Sequence, residues 1–530
     1  MVVGSGPNGL VAAALLADAG WDVVLLEATD RLGGAVASAE SVAPGYVTDL
    51  FSSFYPLGAA SPVIRDLELE RHGLEWVHAP TVLAHPLPDG RCAVLSRDLD
   101  RTAESMASFA TADGPRWRHL AAEWDRIGEF VIDALLRPFP PVRAGWALLR
   151  EAGPAGVGDL ARRALLPVQR LGNEEFDGEG ARLLLAGNAL HADLAPESPG
   201  SGVFGWLLAM MGQQVGFPVP RGGAGALAEA LASRARAAGA VLVTGAPVTE
   251  VVVRAGTALG VRTAGGDAVR ARRGVLADVP APTLFGRLVP RDLLPARARG
   301  KLDNYPWDDA TLKVNWALSS SVPWTAPEAR EAGTVHVGAD LDGLTGFAAD
   351  VARGRAPERP FLLVGQMTTT DPTRSPAGTE SLWAYTHVPR SLAGDRAAMD
   401  RQTERVEEVL EAHAPGFRDL VLARQVQRPR DLEAANPSLV GGAVNAGTSQ
   451  LHHQLVFRPW TGLARSETPV DRLFLASASA HPGGGVHGAC GANAARAALL
   501  AAGARGGPVG RLVGPLAGRG LRAALTSVNR

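Results

Sequence analysis

One glycine pattern at the start of the chain constrains the fold more than any other feature. Val2-Val3 reads as the end of a buried strand, and Gly4-x-Gly6-x-x-Gly9 follows at once. Leu10 to Ala19 is rich in Ala and Leu, which predicts a helix, and Gly20 stops it. Trp21 to Glu27 then reads as a second strand that ends on an acid 18 residues past Gly9. Strand, glycine turn, helix and strand in this order predict a β-α-β unit with a parallel strand pair. The first glycine permits the tight turn, the second lets a pyrophosphate approach the backbone, and the third lets helix and strand pack closely. The helix start offers unpaired N–H groups and partial positive charge to phosphates. Glu27 offers acceptors to a ribose hydroxyl, which disfavours a 2′-phosphate. Gly4, Gly6, Gly9 and Glu27 are therefore the expected dinucleotide contacts. The first strand is a two-residue stub, so a few further residues are expected ahead of Met1.

Composition narrows the class. The 530 residues carry a formal net charge of −2, which argues against a nucleic-acid binder resting on a basic surface. All but two of the 52 basic residues are arginine; the lysines are Lys301 and Lys313. Cys92 and Cys490 are far apart in sequence, which excludes a disulfide framework, a Cys-rich zinc site and a dithiol redox pair, and no metal site is expected. The longest apolar stretch, near Val203–Gly212, is about half of the ~20 residues that cross a bilayer. With no signal peptide ahead of the first motif, a cytoplasmic location is expected.

Further along, Arg101 to about Met211 has a helical pattern, with Trp117, Leu120, Ala121 and Trp124 three or four residues apart. Val241–Val243, Val248–Val253, Ala258–Arg262 and Leu312–Leu318 read as strands, with Gly265-Gly266 as a hairpin turn. Glu404–His413 reads as a helix, and Arg472–Leu475 as a last short strand before a glycine cluster and an Ala-rich helix. The alternation of blocks predicts two domains threaded through each other.

The residues after Glu27 separate the possible dinucleotides. Asp30-Arg31-Leu32-Gly33-Gly34 resembles the extended FAD fingerprint of glutathione-reductase-like and amine-oxidase-like flavoproteins. In such proteins the glycines let the chain pass close to the cofactor, and the arginine lies near its phosphates. Near the C-terminus, Gly483-x-Gly485-x-x-Gly488 matches the dinucleotide pattern again. No second strand or ribose acid follows it, so the expected element is a strand-loop-helix whose N-terminus faces a flavin ring.

With these segments, Pro218-Val219-Pro220-Arg221-Gly222-Gly223-Ala224-Gly225-Ala226-Leu227 and His481-Pro482-Gly483-Gly484-Gly485 make the chain similar to the phytoene-desaturase-like FAD oxidoreductases, from residue 1 to about 503. Gly33-Gly34-Ala35, in place of Gly-Gly-Arg, resembles the branch that holds bacterial carotene ketolases. The resemblance implies an α/β fold, with a glutathione-reductase/amine-oxidase-like Rossmann FAD domain interleaved with an α+β substrate domain. Residues 1–70, 218–295 and 460–505 are the expected FAD domain, 71–217 and 296–459 the substrate domain, and 506–530 a tail. It also implies one non-covalent FAD, with the Val248 backbone at the adenine and Gly485, Val486 and His487 at the isoalloxazine.

Lys313 lies on a strand resembling the one that carries the flavin-facing lysine of monoamine-oxidase-like proteins. A lysine inside an apolar strand must be paired or have its pKa lowered, so Lys313 is the first catalytic candidate and His487, a possible proton carrier, the second. Cys490 reads as a packing residue. Asp49 to Tyr55 and Val203 to Met211 are candidate walls of a substrate pocket. The tail segment Gly510–Arg522 is a candidate peripheral membrane contact. The expected reaction is hydride removal from an apolar or partly apolar small molecule; carotenoid desaturase or ketolase, flavin amine oxidase and a non-catalytic flavin-binding scaffold stay open as rivals.

Overall fold

The computed structural model describes residues 1–506, apart from 339, 462 and 464, so the tail segment Gly510–Arg522 lies outside the described residues. Five short strands form a parallel sheet in the order Leu473–Leu475, Val275–Ala277, Val2–Val3, Val24–Leu26 and Val241–Val243. The inner strands are short Val/Leu/Ala runs that are almost wholly buried, as parallel strands with helices on both faces require. The helix after the glycine turn spans Pro7–Asp18 and starts earlier than the Ala/Leu pattern predicts. Pro7 fits there because its fixed φ suits the first helical position. The second strand is shorter than expected, because the Trp21 N–H folds back onto the Leu16 carbonyl at 3.1 Å.

Pro7–Asp18 packs between helices Ala224–Ala237 and Ala489–Gly506. A Cβ on Gly491 would press on the backbone oxygen of Asn8, so the two helices cross at a separation only glycine permits. The Gly491 N–H also donates to Asn8 Oδ1 at 3.3 Å. Beside this layer lies an antiparallel sheet of Val248–Arg254, Thr257–Thr263 and Ala268–Arg270.

A second large sheet has seven strands, ordered Val421–Gln427, Ala310–Leu318, Glu380–Val388, Leu362–Gln366, Ala332–Val337, Thr81–Pro86 and Cys92–Leu95. Its neighbours are antiparallel except Ala332–Val337 with Thr81–Pro86. One face is apolar: Val314, Trp316, Leu382 and Val364 pack with Val406 and Leu410 of helix Arg396–His413. The other face is also buried but carries polar and aromatic groups, among them Lys313, Asn315, Trp383 and His387. That face lies against residues 47–54: Gln427 Nε2 donates to the Leu50 carbonyl at 3.1 Å, and the Phe54 and Trp383 rings are 6.0 Å apart. Six helices between Leu99 and Gln214 flank the sheet.

Candidate active site

From Val2–Val3 the parallel sheet grows in both directions, to Val24–Leu26 on one side and Val275–Ala277 on the other. The crevice at the carboxyl end of such a strand is where ligands bind in open α/β sheets. The Gly4–Gly9 turn lies there. A Cβ on Gly9 would run into the Gly4 carbonyl oxygen, which keeps helix and strand in direct contact. Glu27 ends the next strand and is buried. Its Oε2 accepts from the Ser5 N–H at 2.8 Å and the Ser5 hydroxyl at 2.6 Å, and its Oε1 from the Thr29 N–H at 2.9 Å and hydroxyl at 3.0 Å. The two backbone donors fix the carboxylate, while the two hydroxyls can rotate away and leave acceptor sites to a ribose diol.

Gly33 and Gly34 come to the same turn. Gly33 N–H donates to the Ser5 carbonyl at 3.0 Å, and a Cβ on Gly34 would lie 3.0 Å from the Gly6 Cα. Arg31 is exposed and lines a cleft of about 580 Å3 between this segment and helix Ala224–Ala237, together with Ser38, Gly225 and Arg236. Val248 is half-buried; two residues before it, the Ala246 N–H donates to the Glu27 carbonyl at 2.8 Å. Gly4, Gly6, Gly9, Glu27, Gly33, Gly34 and Val248 are thus grouped around one crevice. Its small residues, at the positive end of helix Pro7–Asp18, fit an FAD pyrophosphate, and its acid fits a ribose.

The Gly485–His487 loop lies against the far side of helix Pro7–Asp18, since a Cβ on Gly488 would meet Val11 Cγ2 at 2.9 Å. Gly485 is exposed and Val486 half-buried. His487 is buried, and its Nδ1 accepts from the Ala489 N–H at 3.0 Å, at the start of helix Ala489–Gly506. The Ser61 hydroxyl donates to its carbonyl at 2.7 Å. Burial lowers the His487 pKa to about 4, so the ring is neutral near pH 7. Cys490 is buried, its thiol 3.6 Å from the carbonyls of Ala480 and Gly483, and burial pushes its pKa up to about 12. It is a packing residue, as its sequence context predicts. Cys92 is likewise a buried free thiol.

Lys313 lies on an inner strand of the seven-stranded sheet, directly opposite Tyr385 and Gln427. It is 3% exposed. Its Nζ donates to the Asp49 carbonyl at 2.5 Å and to Asn315 Oδ1 at 2.6 Å, and lies 5.7 Å from the centre of the Trp383 ring. Burial lowers the Lys313 pKa to about 7, against a partial upward pull from the Asp49 carboxylate. Lys301, by contrast, is exposed on helix Ala296–Asp303. The segment Asp49–Leu57 joins the two halves of the site. Its first residue holds Lys313, and Leu57 Cδ1 would touch a Cβ on Gly485 at 2.9 Å. Phe54 and Tyr385 are half-buried beside Trp383, whose ring lies 5.8 Å from Tyr385 at 21°. Of the second candidate wall, helix Ser201–Gln214 leaves Val203, Phe204 and Leu208 only partly buried.

Two features of the site were not foreseen, the place of Asp278 and the ion pair that Asp49 makes. Asp278, just past strand Val275–Ala277, accepts the Gly9 N–H at 2.8 Å. Asp49 forms a fully buried ion pair with Arg374 at 2.8 Å. The cue for Asp278 is only that it follows a Val-Leu-Ala run, since 269 residues separate it from Gly9.

Residues 8–499 match the family described as flavin containing amine oxidoreductase. The chain is 30% identical to pyridine nucleotide-disulfide oxidoreductase domain-containing protein 2 of Rattus norvegicus, over 93% of this chain and 92% of that one. It is 24% identical to the neurosporene-forming phytoene desaturase of Cereibacter sphaeroides, over 93% and 92%. Among solved structures, an oxidoreductase from Methanosarcina mazei superposes with a TM-score of 0.61 at 16% identity, over 94% of this chain and 99% of that one.

Proposed function

The chain belongs to the family of flavin containing amine oxidoreductases and is an FAD-dependent oxidoreductase; from that premise we propose that it oxidises an apolar or partly apolar organic substrate in the space between the Gly485–His487 loop and Lys313. Bound FAD supplies a hydride acceptor at N5. The chain supplies the rest. The Gly4–Gly9 turn, with Gly33 and Gly34, takes the pyrophosphate against the start of helix Pro7–Asp18, and Arg31 takes the outer side of the phosphates. Glu27 exchanges the Ser5 and Thr29 hydroxyls for the ribose diol, and the Val248 backbone borders the adenine. Gly485 and Val486 carry the ring system, on a loop that His487 braces by capping Ala489. Residues 1–70, 218–295 and 460–505 form the FAD domain in this reading, and 71–217 with 296–459 the substrate domain.

The observation that carries the proposal is the enclosure of Lys313, whose Nζ donates to the Asp49 carbonyl and Asn315 Oδ1 inside the sheet beside the Trp383 ring. A buried amine whose pKa falls to about 7 exchanges its proton near neutral pH, as a group that holds or moves a proton beside a redox centre must. Phe54, Trp383 and Tyr385, with the partly buried Val203, Phe204 and Leu208, provide the apolar wall. The phytoene desaturase among its relatives supports the apolar class. Amine oxidation is the rival that the ring cluster favours, since aromatic faces attract a cationic amine.

The test is anaerobic mixing of the flavin-loaded chain with carotenoids and other isoprenoids, then with alkyl and aromatic amines. Bleaching of the flavin band at about 450 nm by apolar compounds is the expected result. Bleaching by amines alone replaces this reading with amine oxidation. If nothing bleaches the flavin and Lys313→Met leaves every flavin reaction unchanged, the chain is a flavin-binding scaffold.

A further inference from the structure

Asp278 is an acid in a place built for anions. Its N–H donates to the Val3 carbonyl at 2.8 Å, which continues the sheet pairing past Ala277 and directs the side chain over the glycine turn. Its Oδ2 takes the Gly9 N–H at 2.8 Å, a first-turn donor of the helix whose N-terminus faces the phosphate crevice. The fit is close: a Cβ on Gly6 would meet the same oxygen at 2.5 Å. The side chain therefore stays beside the turn whether or not a cofactor is bound.

No cationic side chain faces Asp278, and only the helix start with its Gly9 N–H favours the anion. Across the turn is the Glu27 carboxylate, and on helix Ala489–Gly506 is the Cys490 thiol, whose pKa Asp278 helps to raise. The turn and helix Pro7–Asp18 bring only Gly4, Gly6 and Gly9 to it. Among the described residues Asp278 has no ion-pair partner. Burial outweighs the Gly9 hydrogen bond, which favours the carboxylate, and with Glu27 adding to it raises the Asp278 pKa to about 7. A doubly anionic pyrophosphate next to a buried carboxylate adds like-charge repulsion in a low dielectric. The neutral acid avoids this. Its carbonyl oxygen keeps the Gly9 bond, and its hydroxyl adds a donor where the ionised form adds only charge.

We propose that Asp278 is a neutral carboxylic acid in the FAD-bound protein, so that FAD binding above neutral pH takes up one proton at this side chain. The inference needs FAD and this turn; it does not depend on the substrate. Cofactor affinity is then constant in mildly acidic solution and falls as pH rises through the range in which the free protein loses this proton. The fall approaches about tenfold per pH unit, the limit for one linked proton.

The experiment is a dilution series of the full-length, FAD-loaded protein from pH 6 to pH 9, with released flavin read by its regained fluorescence. In the wild type the dissociation constant is expected to rise about tenfold between pH 7.5 and 8.5. Asp278→Asn keeps an acceptor for Gly9 and cannot ionise, so its dissociation constant stays level across the range. Calorimetry of FAD rebinding at pH 8 in two buffers of different ionisation enthalpy gives a second readout on the wild type alone. Uptake approaching one proton supports the proposal. A wild-type profile that is flat or that Asp278→Asn reproduces, or rebinding without proton uptake, overturns it.

Discussion

An ammonium enclosed in a sheet is costly unless its proton leaves or its charge is answered, and Lys313 touches only a carbonyl, an amide oxygen and an aromatic face, with a partial pull from the Asp49 carboxylate. Two outcomes follow from the lowered pKa. Lys313→Met keeps its FAD but slows turnover by about a hundredfold, the usual range for a lost proton-transfer group. In stopped-flow flavin reduction and reoxidation, the wild-type rate changes around pH 7 and the variant rate does not. The second outcome concerns stability. Between pH 7 and 10.5 the unfolded chain holds a proton at this lysine that the folded chain has released, so wild-type stability rises with pH across that window. The advantage of Lys313→Met in urea unfolding therefore shrinks from pH 6 to pH 9, by about 2–3 kcal/mol. Glu27 makes a contrasting case. Glu27→Gln turns one acceptor oxygen into an NH2 that faces backbone donors, so it costs about 1–3 kcal/mol in thermal unfolding and releases FAD more readily. As candidates, Lys313 and Glu27 were legible in the sequence, one from its isolation in an arginine-rich chain and the other from its spacing to Gly9, and the structure buries both. Asp278 was not, because nothing local tells a buried acid from a solvated one.

At the level of elements, legibility followed periodicity. Helix Pro7–Asp18 and the hairpin from Val248 were readable because their local patterns are unmixed. Most of the seven-stranded sheet was not. Glu380–Val388 sends Ser381, Trp383, Tyr385 and His387 to one face and Leu382, Ala384, Thr386 and Val388 to the other, and nearly all of them are buried. A sheet with a polar face turned inward loses the alternation that marks a strand. The same interior face holds Lys313, so the element hardest to read is one that borders the candidate site. The helix pair Pro7–Asp18 and Ala489–Gly506 gives a sharper test. Gly491→Ala places a methyl group where the Asn8 carbonyl stands, and neither backbone can move without disturbing the Gly9 turn or the His487 loop. The expected cost is about 1–3 kcal/mol in unfolding, as for overpacked cores. Lower flavin occupancy on purification should accompany it, read as the ratio of flavin to protein absorbance; Gly503→Ala, on the same helix with open space at its Cα, should change neither.

For the whole molecule, the question is what joins the parallel five-stranded sheet to the seven-stranded one, whose segments interleave along the chain. One answer is a single buried carboxylate. Asp49 Oδ1 accepts the Ser38 hydroxyl and the Ala224 N–H and pairs with the Arg374 guanidinium, each at 2.8 Å, and so ties three stretches of sequence to one atom. The Asp49 backbone carbonyl also holds Lys313, which places this junction next to the proposed catalytic amine. Burial alone would raise the Asp49 pKa, but Arg374 and the hydrogen bonds from Ala224 and Ser38 outweigh it and hold the carboxyl below its usual value of 3.8. A depressed carboxyl pKa contributes stability that is fully present above the unfolded value and is lost as pH falls through the folded one. Acid therefore loosens this junction only below about pH 4. Arg374→Met leaves the carboxylate buried without its cation and should cost about 3–5 kcal/mol, as broken buried pairs do. Asp49→Asn strands the guanidinium in the same way, at a similar cost. Replacing both removes the uncompensated charge, so the double variant should be more stable than either single one, with a coupling energy of about 1–3 kcal/mol. Urea unfolding of the four proteins at pH 7 measures that coupling. A double variant no more stable than the worse single one would mean that Asp49 acts through Ser38 and Ala224, with the ion pair incidental. In that case the two sheets are held together by the chain itself and by apolar packing.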